Sequence, residues 1–111
     1  MADLIKNVEK FATFELAGIA DCEPGAVNSV TLAQQPGCKM TVLAFGDGES
    51  IAAHSAPGDA LVTCIAGKGE VMLEGVPHVL TRGQAIVMPA GAEHAVRGIE
   101  GYKMLLTVVK E

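Results

Sequence analysis

Apolar residues along this chain fall into short runs, not long helical stripes. At the start, Leu4, Ile5, Val8 and Phe11 have a spacing compatible with one short helix. The capping signal there is poor, because Asp3 is followed three residues later by Lys6 and not by Glu or Gln. A short N-terminal helix and an extended arm are therefore both open. After Gly25 the pattern changes to runs rich in Val, Thr, Ile and Leu, cut by Gly and Pro. The runs predict strands over 28–34, 40–45, 60–66, 70–74, 76–80, 85–88, 94–96 and 102–109. The separators are Pro36-Gly37, Gly46-Asp47-Gly48, Pro57-Gly58-Asp59, Gly67-Lys68-Gly69, Glu74-Gly75, Arg82-Gly83 and Pro89-Ala90-Gly91. Many short strands with regular turn signals indicate an all-β sandwich or barrel. No helical segment long enough for a βαβ unit lies between them. The organisation that follows is an arm or short helix over 1–27, packed on a barrel over 28–111.

Two of the predicted strands are apolar on both faces. Neither 40–45 (Met-Thr-Val-Leu-Ala-Phe) nor 104–109 (Met-Leu-Leu-Thr-Val-Val) alternates. A strand of a small antiparallel barrel buries one face and solvates the other. When both are apolar, something covers the outer face, and in so short a chain a second subunit is the natural cover. A homodimer is expected.

Composition narrows the classes. The chain has 111 residues, a formal charge of −5 and 50% hydrophobic residues. That length holds one hydrophobic core, and the apolar content excludes intrinsic disorder. An acidic balance without Lys/Arg clusters argues against nucleic-acid binding and against a polybasic membrane contact. No apolar stretch is long enough for a membrane span, and residues 1–10 lack the apolar core of a signal peptide. A soluble, cytoplasmic protein is expected. The cysteines Cys22, Cys38 and Cys64 are odd in number and show no Cys-x-x-Cys spacing, so they read as reduced.

The chemistry-bearing region lies between Gly46 and Gly98. Residues 83–94 read G-x5-P-x-G-x2-H, with Gly83, Pro89, Gly91 and His94 at the fixed positions. Gly83 closes a turn into a strand. Pro89 ends that strand without needing a ladder donor. Gly91 permits a tight turn, and His94 starts the returning strand. This pattern resembles the second motif of the cupin superfamily, with Gly98 where Asn usually closes it. The first motif, G-x5-H-x-H-x(3,4)-E-x6-G, is present upstream in altered form. His54 stands at the first histidine position, Ala56 at the second and Ala60 at the carboxylate position. The resemblance covers about residues 28–109. It is closest to short bacterial cupin-domain proteins that read like His54-Ser55-Ala56-Pro57-Gly58-Asp59-Ala60 and end like Lys103-Met104-Leu105-Leu106-Thr107.

The resemblance implies a jelly-roll β-barrel, often dimeric, with a pocket in its mouth. It also implies a divalent metal (Zn, Fe, Mn or Ni), held in a full site by three His and one Glu. Only His54 and His94 stand at ligand positions. Asp59, one residue before Ala60, is the candidate third ligand. A one-residue offset turns a strand side chain to the opposite face, so Asp59 would need a bulge at Pro57-Gly58 to reach the site. By parity with Ala60, the side chains of Val62, Cys64 and Ala66 share its face. With Ala56 and Gly98 they make the wall small and apolar. Either larger neighbours such as Met88 fill the volume or a cavity remains, and an apolar cavity with two imidazoles suits a small organic molecule. The ligand-binding set is thus His54, Ala56, Ala60, Val62, Cys64, Met88 and His94. Cys64 reads mainly as a core residue. His78, on a turn entering a strand, reads as a surface histidine, and Glu93 as solvated. The segments 46–49 and 67–70 resemble phosphate loops but precede no helix, so they read as hairpin turns.

Three functions follow in order. The first is a cupin that binds a small organic ligand around His54 and His94. The second is a metal-dependent dioxygenase, isomerase or lyase using the same two histidines. The third is metal-free acid–base catalysis by His54 or His94 with a carboxylate.

Overall fold

The computed structural model describes residues 4–111. Seven strands follow in order: β1 (Val27–Gln35), β2 (Cys38–Phe45), β3 (Ser50–His54), β4 (Asp59–Leu73), β5 (Val76–Thr81), β6 (Ala85–Met88) and β7 (His94–Val109). All pairings are antiparallel, in the order β1-β2-β7-β4-β5, with β3 on β7 and β6 on β4. This is the expected all-β jelly-roll barrel. Among the described residues no helix is long and apolar enough to cross a membrane.

Two strands organise everything else. The sequence pattern splits 60–66 from 70–74 and 94–96 from 102–109, but each pair is one continuous strand. The glycines read as turns are bends inside them. The β4–β7 register slips between Cys64 and Gly69, and Gly67 sits there at φ +66° with the Glu100 and Gly101 carbonyls against it. The near half of β4 pairs with β6 and the far half with β5, while β7 stays its partner on both sides of the slip. Residues 67–70 are therefore not a hairpin turn. The strand missed from sequence is β3, whose Ile51-Ala52-Ala53 is short and small.

The inner core is built from Phe45, Val62, Val71, Met88, Tyr102 and Met104, all nearly inaccessible. Burying each such side chain contributes about 1.5–3 kcal/mol. Phe45 and Tyr102 stack at a centroid distance of 5.2 Å. The Tyr102 hydroxyl donates to the Met104 sulfur at 3.3 Å, and burial, with Cys64 nearby, pushes its pKa up.

A second apolar cluster lies outside the barrel. There Ala20 packs with Leu32, Val42 and Ala44, joined by Val8, Ile19 and Leu105. The N-terminal segment is the cover for this part of β2 and β7. Among the described residues it runs as an arm, with its one regular feature a 3₁₀ turn at Leu16–Gly18. The Lys6 N–H donates to the Leu32 carbonyl, Asn7 Nδ2 to Thr31, and Lys103 Nζ to Ala17. Leu4, Ile5 and Phe11 stay exposed, so their helical spacing marks no buried stripe.

Candidate functional site

His94 opens β7 and His54 closes β3, and the two face each other across that strand pair. Their meeting depends on an irregularity. Ile51 pairs with Val96 and His54 with His94, so β3 spends three residues where β7 spends two. Without that bulge His54 would point opposite to Ile51; with it, both face inward.

The two rings approach edge to face, with centroids 4.3 Å apart and planes at 65°. Nε2 of His54 and Nε2 of His94 are separated by 3.2 Å. Each ring is anchored at its other nitrogen. His54 Nδ1 lies 2.9 Å from the Ala52 carbonyl, and His94 Nδ1 lies 3.2 Å from the Ala92 carbonyl. A carbonyl oxygen only accepts, so each Nδ1 carries the proton. In the form with a proton only at Nδ1, the two Nε2 lone pairs face one another. Burial holds the His94 pKa below the ordinary histidine value; the Ala92 hydrogen bond opposes this and the His54 charge adds to it. The pair therefore favours a guest that accepts electron density, either a proton or a cation.

The other site candidates lie elsewhere. Asp59 is exposed and in register with Val109, and its Oδ1 accepts from the Ala90 N–H at 2.8 Å. No bulge turns it inward, and among the described residues no group of three or more His, Cys, Asp and Glu side chains could hold a metal. Ala56 is half-buried, and its carbonyl accepts from the Gly91 N–H, which ties the loop after His54 to the turn before His94. Ala60, Val62, Cys64 and Met88 are packed in the inner core. The Cys64 thiol donates to the Ala66 carbonyl at 3.3 Å, and burial raises its pKa. The space at Gly98 is taken by Phe45, whose Cβ would lie 2.6 Å from a Cβ built there. Phe45 thus occupies the space that the motif's closing Asn side chain would take.

Two features were not read from sequence. A cleft of about 480 Å³ lined by Leu73, Glu74, Pro89, Ala90, Gly91 and Ala92 adjoins His94, which pairs with Leu73. His78 is half-buried and in register with the fully buried Val71, so it faces inward and is not a surface histidine. Alternation back from buried Leu80 carries that signal.

The comparisons agree with this architecture. The chain is 36% identical to a conserved protein of unknown function from Streptococcus pyogenes, with TM-score 0.95, covering 99% of this chain and 96% of that one. It is 25% identical to a cupin superfamily protein from Desulfitobacterium hafniense, with TM-score 0.91 and coverage of 96% and 98%. A cupin 2 conserved barrel domain protein from Leptotrichia buccalis is 41% identical at TM-score 0.85, covering 87% of this chain and 47% of that one. No curated protein matches the chain. The cupin domain family matches over residues 41–109, the span that holds both histidines and most of the barrel, and the chain belongs to that family.

Proposed function

We propose that this cupin binds a small organic molecule at the barrel mouth, with His54 and His94 as the recognition pair. The observation that carries this is the 3.2 Å approach of two Nε2 atoms whose rings are each anchored through Nδ1 to a backbone carbonyl. A ligand group that supplies a proton, such as a carboxylic acid, a phenol or an enol, donates to one Nε2, and a proton passed to that nitrogen bridges it to the other Nε2. The cleft at Leu73, Glu74 and 89–92 offers room for the rest of the molecule. His94, nearly buried, sets the position of the contact; His54, exposed, is the side from which the ligand enters.

The second reading is a metal-dependent enzyme at the same pair. The donor set supports it in part. A separation of 3.2 Å suits two imidazoles on one divalent ion, whose bonds to nitrogen are about 2.0–2.1 Å for zinc. His54 and His94 would hold the ion. A bound metal supplies a Lewis acid that polarises a ligand oxygen. The residues themselves orient the rings, hold a proton at each Nδ1 and leave the remaining contacts to the small molecule.

Isothermal titration with Zn²⁺ and Mn²⁺, beside a thermal-shift screen of small acids and phenols, tests both. At least one compound or ion should stabilise the wild-type chain, and His54→Ala should weaken its binding at least about 10-fold. Stabilisation by an acid or phenol without metal favours the first reading, and stabilisation only with metal favours the second. Binding that is indifferent to both His54→Ala and His94→Ala, or no binding at all, sinks both.

A further inference from the structure

Behind the histidine pair, on the outer side of the same strands, the surface is hollowed. Val71 and Val96 are buried in the barrel, so their strand neighbours Glu70, Met72, Ala95 and Arg97 point out. Residues opposite each other on antiparallel strands share a face. Arg97 of β7 stands between Ser50 of β3 and Glu70 of β4, and Ala95 stands opposite Met72. The β3 bulge sets Ala52 and Ala53 against the one residue Ala95, so methyl groups are all that cover the sheet there. The longer Arg97, Glu70 and Met72 border them, and a hollow of about 220 Å³ results. Sites for drug-sized ligands begin at about 300 Å³, so this one suits a smaller molecule.

The hollow is apolar on its floor and charged at one edge. Ala52, Ala95 and Met72 supply the apolar part. At the edge, the nearest nitrogen of Arg97 and oxygen of Glu70 are 3.7 Å apart, an ion pair too long to be a hydrogen bond. Both heads reach solvent, with side-chain exposures of 49% and 22%. So open a pair contributes little, and a ligand that takes both heads loses little by parting them. The guanidinium only donates and the carboxylate only accepts. A lone anion would be repelled by Glu70 and a lone cation by Arg97. The matching ligand carries an anionic acceptor and a cationic donor side by side, with an apolar group next to them.

We propose that this hollow is a second binding site, separate from the histidine pair, for a free α-amino acid with an aliphatic side chain. The ligand's carboxylate accepts from the Arg97 guanidinium and the Ser50 hydroxyl, and its ammonium donates to the Glu70 carboxylate. Its side chain lies on Met72, Ala95 and Ala52. The zwitterion has no net charge, so the chain's charge of −5 does not oppose its approach. Two charge-assisted contacts on an open surface correspond to a dissociation constant on the order of 1 mM.

Titration of the ¹⁵N-labelled full chain with L-methionine, read by amide chemical shifts, tests the proposal. The amides of Ser50, Glu70, Ala95 and Arg97 should shift saturably. N-acetylmethionine lacks the ammonium and methionine methyl ester lacks the carboxylate, and each should bind at least about 10-fold more weakly. Arg97→Gln and Glu70→Gln should weaken L-methionine by a similar factor. Both side chains reach solvent, so the fold should survive their replacement; if circular dichroism shows either variant unfolded, Ala52→Leu, at an exposed position, fills the hollow and takes its place. No saturable shift at about 20 mM L-methionine overturns the proposal. So do equal affinities for the free and the two blocked forms, binding indifferent to the substitutions, or shifts confined to residues 54–58 and 89–92 at the barrel mouth.

Discussion

His54 and His94 meet because a single extra residue in β3 rotates one of them inward. Both residues were legible as a motif pair, since spacing alone marks them. Their 3.2 Å approach was not, because a bulge at small residues leaves no mark in the pattern. The apolar wall left two outcomes open in the sequence, a filled space or a cavity. Parity correctly places Ala60, Val62 and Cys64 on the inner face. Whether an inner face lines a pocket or a packed core depends on what packs against it, and here Phe45, Met88 and Tyr102 share its cluster. Cys64 and Tyr102 carry a testable consequence. Burial raises both pKa values, so the folded chain keeps protons that the unfolded chain releases. Their contribution is full below the unfolded thiol value of 9.0 and is lost as pH rises above it. Tm should hold steady up to about pH 8.5 and then fall, and Cys64→Ala should flatten the first part of that fall. A Tm that stays level through the alkaline range contradicts this.

At the level of elements, the barrel rests on two long bent strands. Gly67 permits the bend of β4: its φ is +66°, and an added Cβ would lie 2.2 Å from the carbonyl oxygens of Glu100 and Gly101. Gly69 similarly leaves room for the Tyr102 ring, 2.5 Å from where a Cβ would stand. Gly67→Ala should therefore cost about 3 kcal/mol or more, from backbone strain and backbone overlap together. Gly75 has a similar φ of +78° with nothing within 4 Å. Gly75→Ala should cost only about 1–2 kcal/mol, the conformational part alone. Urea denaturation of the two variants measures the difference, and equal losses would remove the packing argument. A glycine pair between apolar runs signals a turn in sequence. Here it marks a register slip inside one long strand, where β4 exchanges β6 for β5 beside β7.

On the scale of the whole molecule, the excess of apolar residues has three destinations. Part fills the barrel, part lies beneath the arm at Val42 and Ala44, and part remains on the surface at Phe11, Leu61, Val87 and Val109. The two-faced apolar strands predict a cover, and for half of that face the cover is the chain's own N-terminal segment. The sequence by itself determines the strand-rich character, the inward parity of the core, the histidine pair and the family, because these rest on local alternation and fixed spacing. The tertiary structure alone decides which turns are bends, which way His54 and His78 face, what fills the space at Gly98 and what covers β2. Each of those depends on a residue distant in the chain, whose position no local pattern encodes.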